Sequence, residues 1–119
     1  MSDFPISIFH NPMCGTSRNA LAMIREKGFD PQVIEYVKVG WTAAQLKGLF
    51  AKMGVTARDV MRIRGTPAEE LGLTKDGVSD EAIIAAMVEH PILVNRPIVA
   101  TPKGVALTRP PEKVLALLP

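Results

Sequence analysis

The spacing of apolar positions changes several times along the chain, and each change marks an element. The first run, FPISIFH (residues 4–10), is short, β-branched and aromatic, and it stops at Asn11-Pro12. That pattern predicts a buried strand ending in a turn. After Gly15 the period lengthens. Leu21, Ile24 and Gly28 recur at helical spacing, with Thr16 or Ser17 placed to cap the start and Gly28 placed at the end. PQVIEYV (31–37) returns to β texture and predicts a second strand. Strand, helix and strand in such close succession make a βαβ unit, with the two strands parallel.

The middle of the chain reads as helical and heavily punctuated. Thr42-Ala43-Ala44-Gln45 is a capping box, followed by Leu46, Leu49, Phe50 and Met53 on one face and stopped by Gly54. Thr56 is expected to begin a short helix through about Ile63. Thr66-Pro67-Ala68-Glu69 is a second capping box, with proline at the first helical position and Gly72 at the end. Ser79 caps a fourth segment whose first turn carries Asp80 and Glu81, charges that suit the positive end of the helix dipole. Ile83, Ile84, Met87 and Val88 form its expected buried stripe, and Pro91 ends it.

Beyond Pro91 the texture is β again. PIVAT and VALTR read as two short strands joined at PKG in a tight hairpin. Pro110-Pro111 then opens a last helix carrying Val114, Leu115, Leu117 and Leu118. The order βαβ, helical insert, ββα is that of a thioredoxin-like α/β sheet with helices inserted between the second and third strands. One domain spanning residues 1–119 is expected, with the insert over about 42–90.

Composition narrows the class of protein. Nearly half of the 119 residues are apolar, enough for one core without metal or disulfide. Net charge is only +2, with both signs mixed and no basic stripe interleaved with aromatics, so nucleic acid is not an expected partner. MSDFPISIFH places Asp3 early and has no basic-then-apolar run, so no secretory signal is expected. No apolar stretch approaches the roughly 20 residues that span a membrane. The single cysteine excludes an internal disulfide or a Cys-rich zinc site and suits a reducing cytoplasm. The one locally basic stretch, RDVMRIR (58–64), is by default a solvated face, or else presents an arginine to an anion.

That single cysteine, Cys14, lies in HNPMCGTSR (10–18), in the turn between the first strand and the first helix. A lone cysteine is ordinarily a small core hydrophobe. Here the N–H groups of Gly15 to Ser17 at a helix start favour an anion, and Gly15 permits close approach. The Ser17 hydroxyl can donate to the sulfur, or simply cap the helix, and His10 and Arg18 are near enough in sequence to add positive charge. Thiolate formation from a pKa of about 8.5 needs such help. A phosphatase-like loop is excluded, because it needs arginine six residues after the cysteine and Ala20 stands there.

HNPMCGTSR, HPILVNRPIV (90–99) and LTRPPEKVL (107–115) together resemble the glutaredoxin-dependent arsenate reductase family, over nearly the whole chain. The resemblance implies that Cys14 attacks arsenate, that Arg62, Arg96 and Arg109 hold the oxyanion, and that His10 and Ser17, with Gly15 and Thr16, support the thiolate. It places a cis-proline at Pro97. Arg58 and Arg64 remain alternatives to Arg62. It also implies glutathione as cosubstrate, glutaredoxin as partner, no bound metal or cofactor, no membrane association, and a monomer. Two other readings stand beside it. One is a glutathione-linked thiol reductase of another substrate. The other is a protein-binding regulator like the Spx group, although Ser17 occupies the position of the second cysteine in their C-x-x-C pair.

Overall fold

The computed structural model describes residues 4–119, so Asp3 lies outside the described residues. The chain divides into two units, one formed by the segment up to Val39 with Arg96–Pro119, the other by Gly40–Asn95. The insert expected over about 42–90 falls within the second.

The first unit is built on a four-stranded sheet. Strand β1 (Ser7–His10) leads through helix α1 (Gly15–Glu26) to β2 (Gln32–Glu35) and a short helix α2 (Tyr36–Val39). Ile8 pairs with Val33 and His10 with Glu35 in a parallel ladder, as the βαβ reading requires. After the second unit the chain returns as β3 (Ile98–Thr101) and β4 (Gly104–Leu107), an antiparallel hairpin laid against the other side of β1. The strand order is β2-β1-β3-β4. Alternation along β1 sends Ile6 and Ile8 into a core shared with Ala20, Leu21 and Ile24 of α1, Val99 of β3, and Val114 and Leu117 near the carboxyl end. Each fully buried Ile or Val contributes about 1.5–3 kcal/mol. This core fixes α1 against the sheet, and with it the loop that carries Cys14. The mixed α/β sheet with flanking and inserted helices is the thioredoxin-like arrangement expected.

In the second unit, α3 (Ala43–Met53) starts where Thr42 Oγ1 accepts from Gln45 N and stops at Gly54, whose φ of 70° favours glycine. Helix α4 (Asp80–Glu89) is capped by Ser79 in the same way. Residues 60–62 lie beside 93–95, with Arg62 N donating to Leu93 O and Asn95 N to Val60 O.

Several local expectations fail for identifiable reasons. The second strand ends at Glu35, because Tyr36 is fully buried by turning into α2. The helix expected from Thr56 is a 3₁₀ turn at Arg58–Val60, since Met61 leaves it to bridge with Val94. The Thr66 box yields turns but no helix: the Thr66 hydroxyl donates back to the carbonyls of Arg62 and Ile63, competing with helical pairing. Val88 and Leu115 are exposed, and the closing helix is 3₁₀ over Pro111–Leu117. Neither Thr16 nor Ser17 caps α1; Cys14 occupies that position itself.

Candidate active site

The loop between β1 and α1 is organised by Asn11. Its carbonyl accepts from Cys14 N, and its side-chain Oδ1 accepts from Met13 N, the turn chemistry that an Asn-Pro pair favours. Its own N–H donates to Ser17 Oγ at 3.1 Å. Cys14 thereby reaches the N-cap of α1 in extended conformation, with φ −100° and ψ 122°. Although it lies in the turn between two elements, it is buried.

Two arginines distant in sequence meet this sulfur. Arg109 Nη1 lies 3.7 Å from Cys14 Sγ and also donates to Arg96 O at 2.9 Å. Arg96 is itself buried. Burial of Cys14 opposes ionisation, but hydrogen bonds from the Ser17 backbone N–H, Arg96 and Arg109, with the charge of Arg96, outweigh it and bring the thiol down to about 7.

The Ser17 hydroxyl has a different task from the one expected of it. It is buried and sits 2.6 Å from His10 Nδ1 while accepting from Asn11 N, so it ties strand end to helix rather than serving the sulfur. Burial lowers the His10 pKa, against an opposing pull from Glu35 and with Arg25 and Arg18 adding to the lowering. The ring is therefore neutral at pH 7 and contributes position instead of positive charge. Arg18 donates to Pro12 O at 2.8 Å and is not among the groups that lower the thiol. A Cβ on Gly15 would meet only the Arg18 guanidinium, at 3.7 Å, so the chain's own packing does not demand glycine there. Thr16 is half-buried in the first turn of α1.

The Arg96-Pro97 bond is cis, and so is Arg109-Pro110, which the sequence did not reveal. Thr108, also missed, is fully buried and donates both its N–H and its hydroxyl to Pro97 O, at 2.9 and 3.3 Å. It ties the strand-start bearing Arg96 to the strand-end bearing Arg109. Arg62 belongs to the second unit, where it is half-buried and its Nε donates to Arg64 O. Arg58 is committed within that unit to Lys75 O at 2.8 Å, and Arg64 is exposed. Among the described residues no group of three or more His, Cys, Asp or Glu side chains could hold a metal, and no helix is long and apolar enough to cross a membrane.

A thiol titrating near 7 is about half ionised at neutral pH, against a few per cent for an unperturbed cysteine. Alkylation by iodoacetamide, which carries no charge, is expected to rise through pH 7 and level off above it. A rate still climbing steeply beyond pH 8.5 would show that the arginines and helix start do not activate the sulfur.

The ArsC family model matches residues 9–117. The chain is 58% identical over 118 residues to the arsenate reductase ArsI1 of Synechocystis sp., an alignment covering 99% of this chain and 82% of that protein. It is 50% identical over 114 residues to an arsenate reductase of Escherichia coli K12, covering 96% and 81%. A solved arsenate reductase from Vibrio cholerae superposes with a TM-score of 0.92 at 39% identity, covering 98% of this chain and all of that one.

Proposed function

The chain belongs to the ArsC family, and from that premise we propose that it reduces arsenate to arsenite with glutathione and glutaredoxin, beginning with attack of the Cys14 thiolate on arsenic. The observation that carries this reading is the meeting at Cys14 of a helix start with two arginines from the far end of the chain. Arsenate is an anion at pH 7, so an attacking thiolate faces like-charge repulsion. Arg96 and Arg109 offset it, and their planar forks match a tetrahedral oxyanion. The resemblance adds Arg62 as the third arginine.

In this mechanism the Cys14 sulfur forms a bond to arsenic and an arsenate oxygen leaves as water after protonation, the arsenic remaining pentavalent. Glutathione thiolate displaces a second oxygen, giving arsenic bonded to both sulfurs. A glutaredoxin thiolate then attacks the glutathionyl sulfur. The As–S bond breaks with its electron pair left on arsenic, which becomes trivalent, while glutaredoxin and glutathione form a mixed disulfide. Water releases arsenite and restores the Cys14 thiol. External thiols are required because the chain has one cysteine and cannot form an internal disulfide. Such a reductant supply places the protein in a reducing cytoplasm. Every proposed step uses residues of one chain, which supports the monomer as the acting unit.

The test is arsenate-dependent NADPH oxidation coupled through glutathione reductase. Turnover is expected to require glutathione, to accelerate with glutaredoxin, and to be feeble with thioredoxin alone. Robust turnover with thioredoxin alone would contradict the one-cysteine argument, and none with any reductant would refute the assignment.

A further inference from the structure

The β3–β4 hairpin ends at the site, and its last rung is chemically unequal. Ile98 pairs with Leu107 in the antiparallel ladder, and one step further out Pro97 stands opposite Thr108. Thr108 N donates to Pro97 O at 2.9 Å, half of the two-way exchange that a hydrogen-bonded pair makes. Pro97 cannot return it, because proline has no N–H. The second bond comes from the same side instead. Thr108 Oγ1 donates to Pro97 O at 3.3 Å, so one residue fills both lone pairs of that carbonyl. Thr108 is fully buried and Pro97 is buried with it, and burial strengthens both bonds.

This rung carries the two arginines of the site. The next residues outward are Arg96 and Arg109, one at the end of each strand. Arg109 Nη1 lies 3.7 Å from Cys14 Sγ and 2.9 Å from Arg96 O, and Arg96 also hydrogen-bonds the sulfur. Two guanidiniums converging on one sulfur repel each other, and like charges on facing strands push the strands apart. The bond from Arg109 to Arg96 O opposes that splaying through a long side chain. The Thr108 rung opposes it one residue inside the pair, where the strands themselves are joined. At 3.3 Å the hydroxyl bond is the longer of the two, so losing it loosens the strand ends without freeing them.

We propose that Thr108 is a positioning residue for the reaction: its hydroxyl, by doubling the bond to Pro97 O, holds Arg96 and Arg109 at the spacing that serves the sulfur and an oxyanion together. Its own bonds go to Pro97 O, so it acts through the two arginines. The consequence for turnover rests on the arsenate reductase reading above, whereas the consequence for the thiol does not.

The test compares Thr108→Val, which has nearly the same shape but no hydroxyl, with Thr108→Ser, which keeps the hydroxyl. Each full chain is read by iodoacetamide alkylation of Cys14 against pH and by steady-state arsenate reduction. In Thr108→Val the alkylation midpoint is expected to rise by about half a pH unit, as the hydrogen bonds to the thiolate lengthen. Its kcat is expected to fall about tenfold, less than the roughly 10²-fold that a misplacement of about 1 Å costs, with KM for arsenate changing less. Thr108→Ser should return both towards the parent. Pro97 O keeps its backbone bond in every variant, so thermal melting is expected to stay within a few degrees of the parent. An unchanged midpoint, or an unchanged kcat in an active parent, would overturn the proposal whatever the melting temperature. A serine variant that behaves like valine would overturn it too. Should valine fail to fold, Thr108→Ala removes the hydroxyl without adding a methyl and takes the same readings against serine. A shifted midpoint restored by serine, in a chain that reduces no arsenate, would sustain the hold on the arginines and refute the arsenate reductase reading, so the two failures remain separate.

Discussion

Cys14→Ser is expected to abolish arsenate reduction, by about 10⁴-fold or more, and to leave the fold intact. A serine hydroxyl stays protonated at any pH the protein survives, so no nucleophile forms where a thiol titrating near 7 stood. Losses of that order follow when the nucleophile itself is removed, because the remaining groups act only through it. Stability should change little, though not because the residue is exposed. Cys14 is buried, but its neighbours are polar: the Ser17 N–H, Arg96 and Arg109. A hydroxyl there finds partners, and serine is among the preferred N-cap residues, where its oxygen accepts from the second or third N–H of the helix. Circular dichroism melting within a few degrees of the parent, with no arsenate-dependent NADPH oxidation, is the expected pair of results. Activity surviving in Cys14→Ser would end the mechanism, whereas an unfolded variant would show that the sulfur is needed for packing.

The legible parts of this chain were those decided within a few residues. Thr42 and Ser79 cap the helices they precede because the hydroxyl and the N–H that donates to it lie three residues apart and nothing else claims the oxygen. Thr66 carries the same signature and fails, since its hydroxyl is claimed by carbonyls behind it. The hairpin at PKG was an equally local reading, whereas the parallel pairing of β1 with β2 followed from the helix between them. The site was legible in part. That Cys14 sits at a helix start followed from its neighbours. Arg109, 95 residues away, could be joined to it only through the family resemblance, because nothing in local spacing connects them. Ser17 shows the opposite limit. Its place in the sequence allows its hydroxyl either to donate to the sulfur or to cap the helix, while the structure turns that hydroxyl to His10 and Asn11 and aims its backbone N–H at Cys14. Thr108 gave no signal, since a threonine at a strand end is commonplace and its value lies in reaching Pro97.

Arg96→Lys and Arg109→Lys are expected to lose about 10²–10³-fold in turnover, with arsenate binding weakened less. Both substitutions keep the charge, so they separate attraction from aim. Arg109 divides its Nη1 between Arg96 O at 2.9 Å and Cys14 Sγ at 3.7 Å, leaving the rest of the fork for an oxyanion. A lysine ammonium is a single point on a flexible stem; its three N–H bonds diverge from one atom, so once held by the Arg96 carbonyl it cannot present the parallel pair that a guanidinium offers an oxyanion. Arg96 is buried beside the sulfur, where a shorter, more strongly hydrated ammonium is both misplaced and costly to desolvate. Loss of one well-aimed donor to developing charge typically costs the quoted factor. In the insert, Arg58→Lys should be close to neutral for turnover, because Arg58 serves the Lys75 carbonyl, and exposed Arg64 should tolerate lysine equally well. Arg62→Lys belongs with the sensitive pair if the resemblance carries over. Steady-state rates against arsenate concentration for all five variants decide among these. Equal tolerance at every position would reduce the arginines to general attraction, and a severe loss at Arg64 with none at Arg62 would move the third oxyanion contact to Arg64.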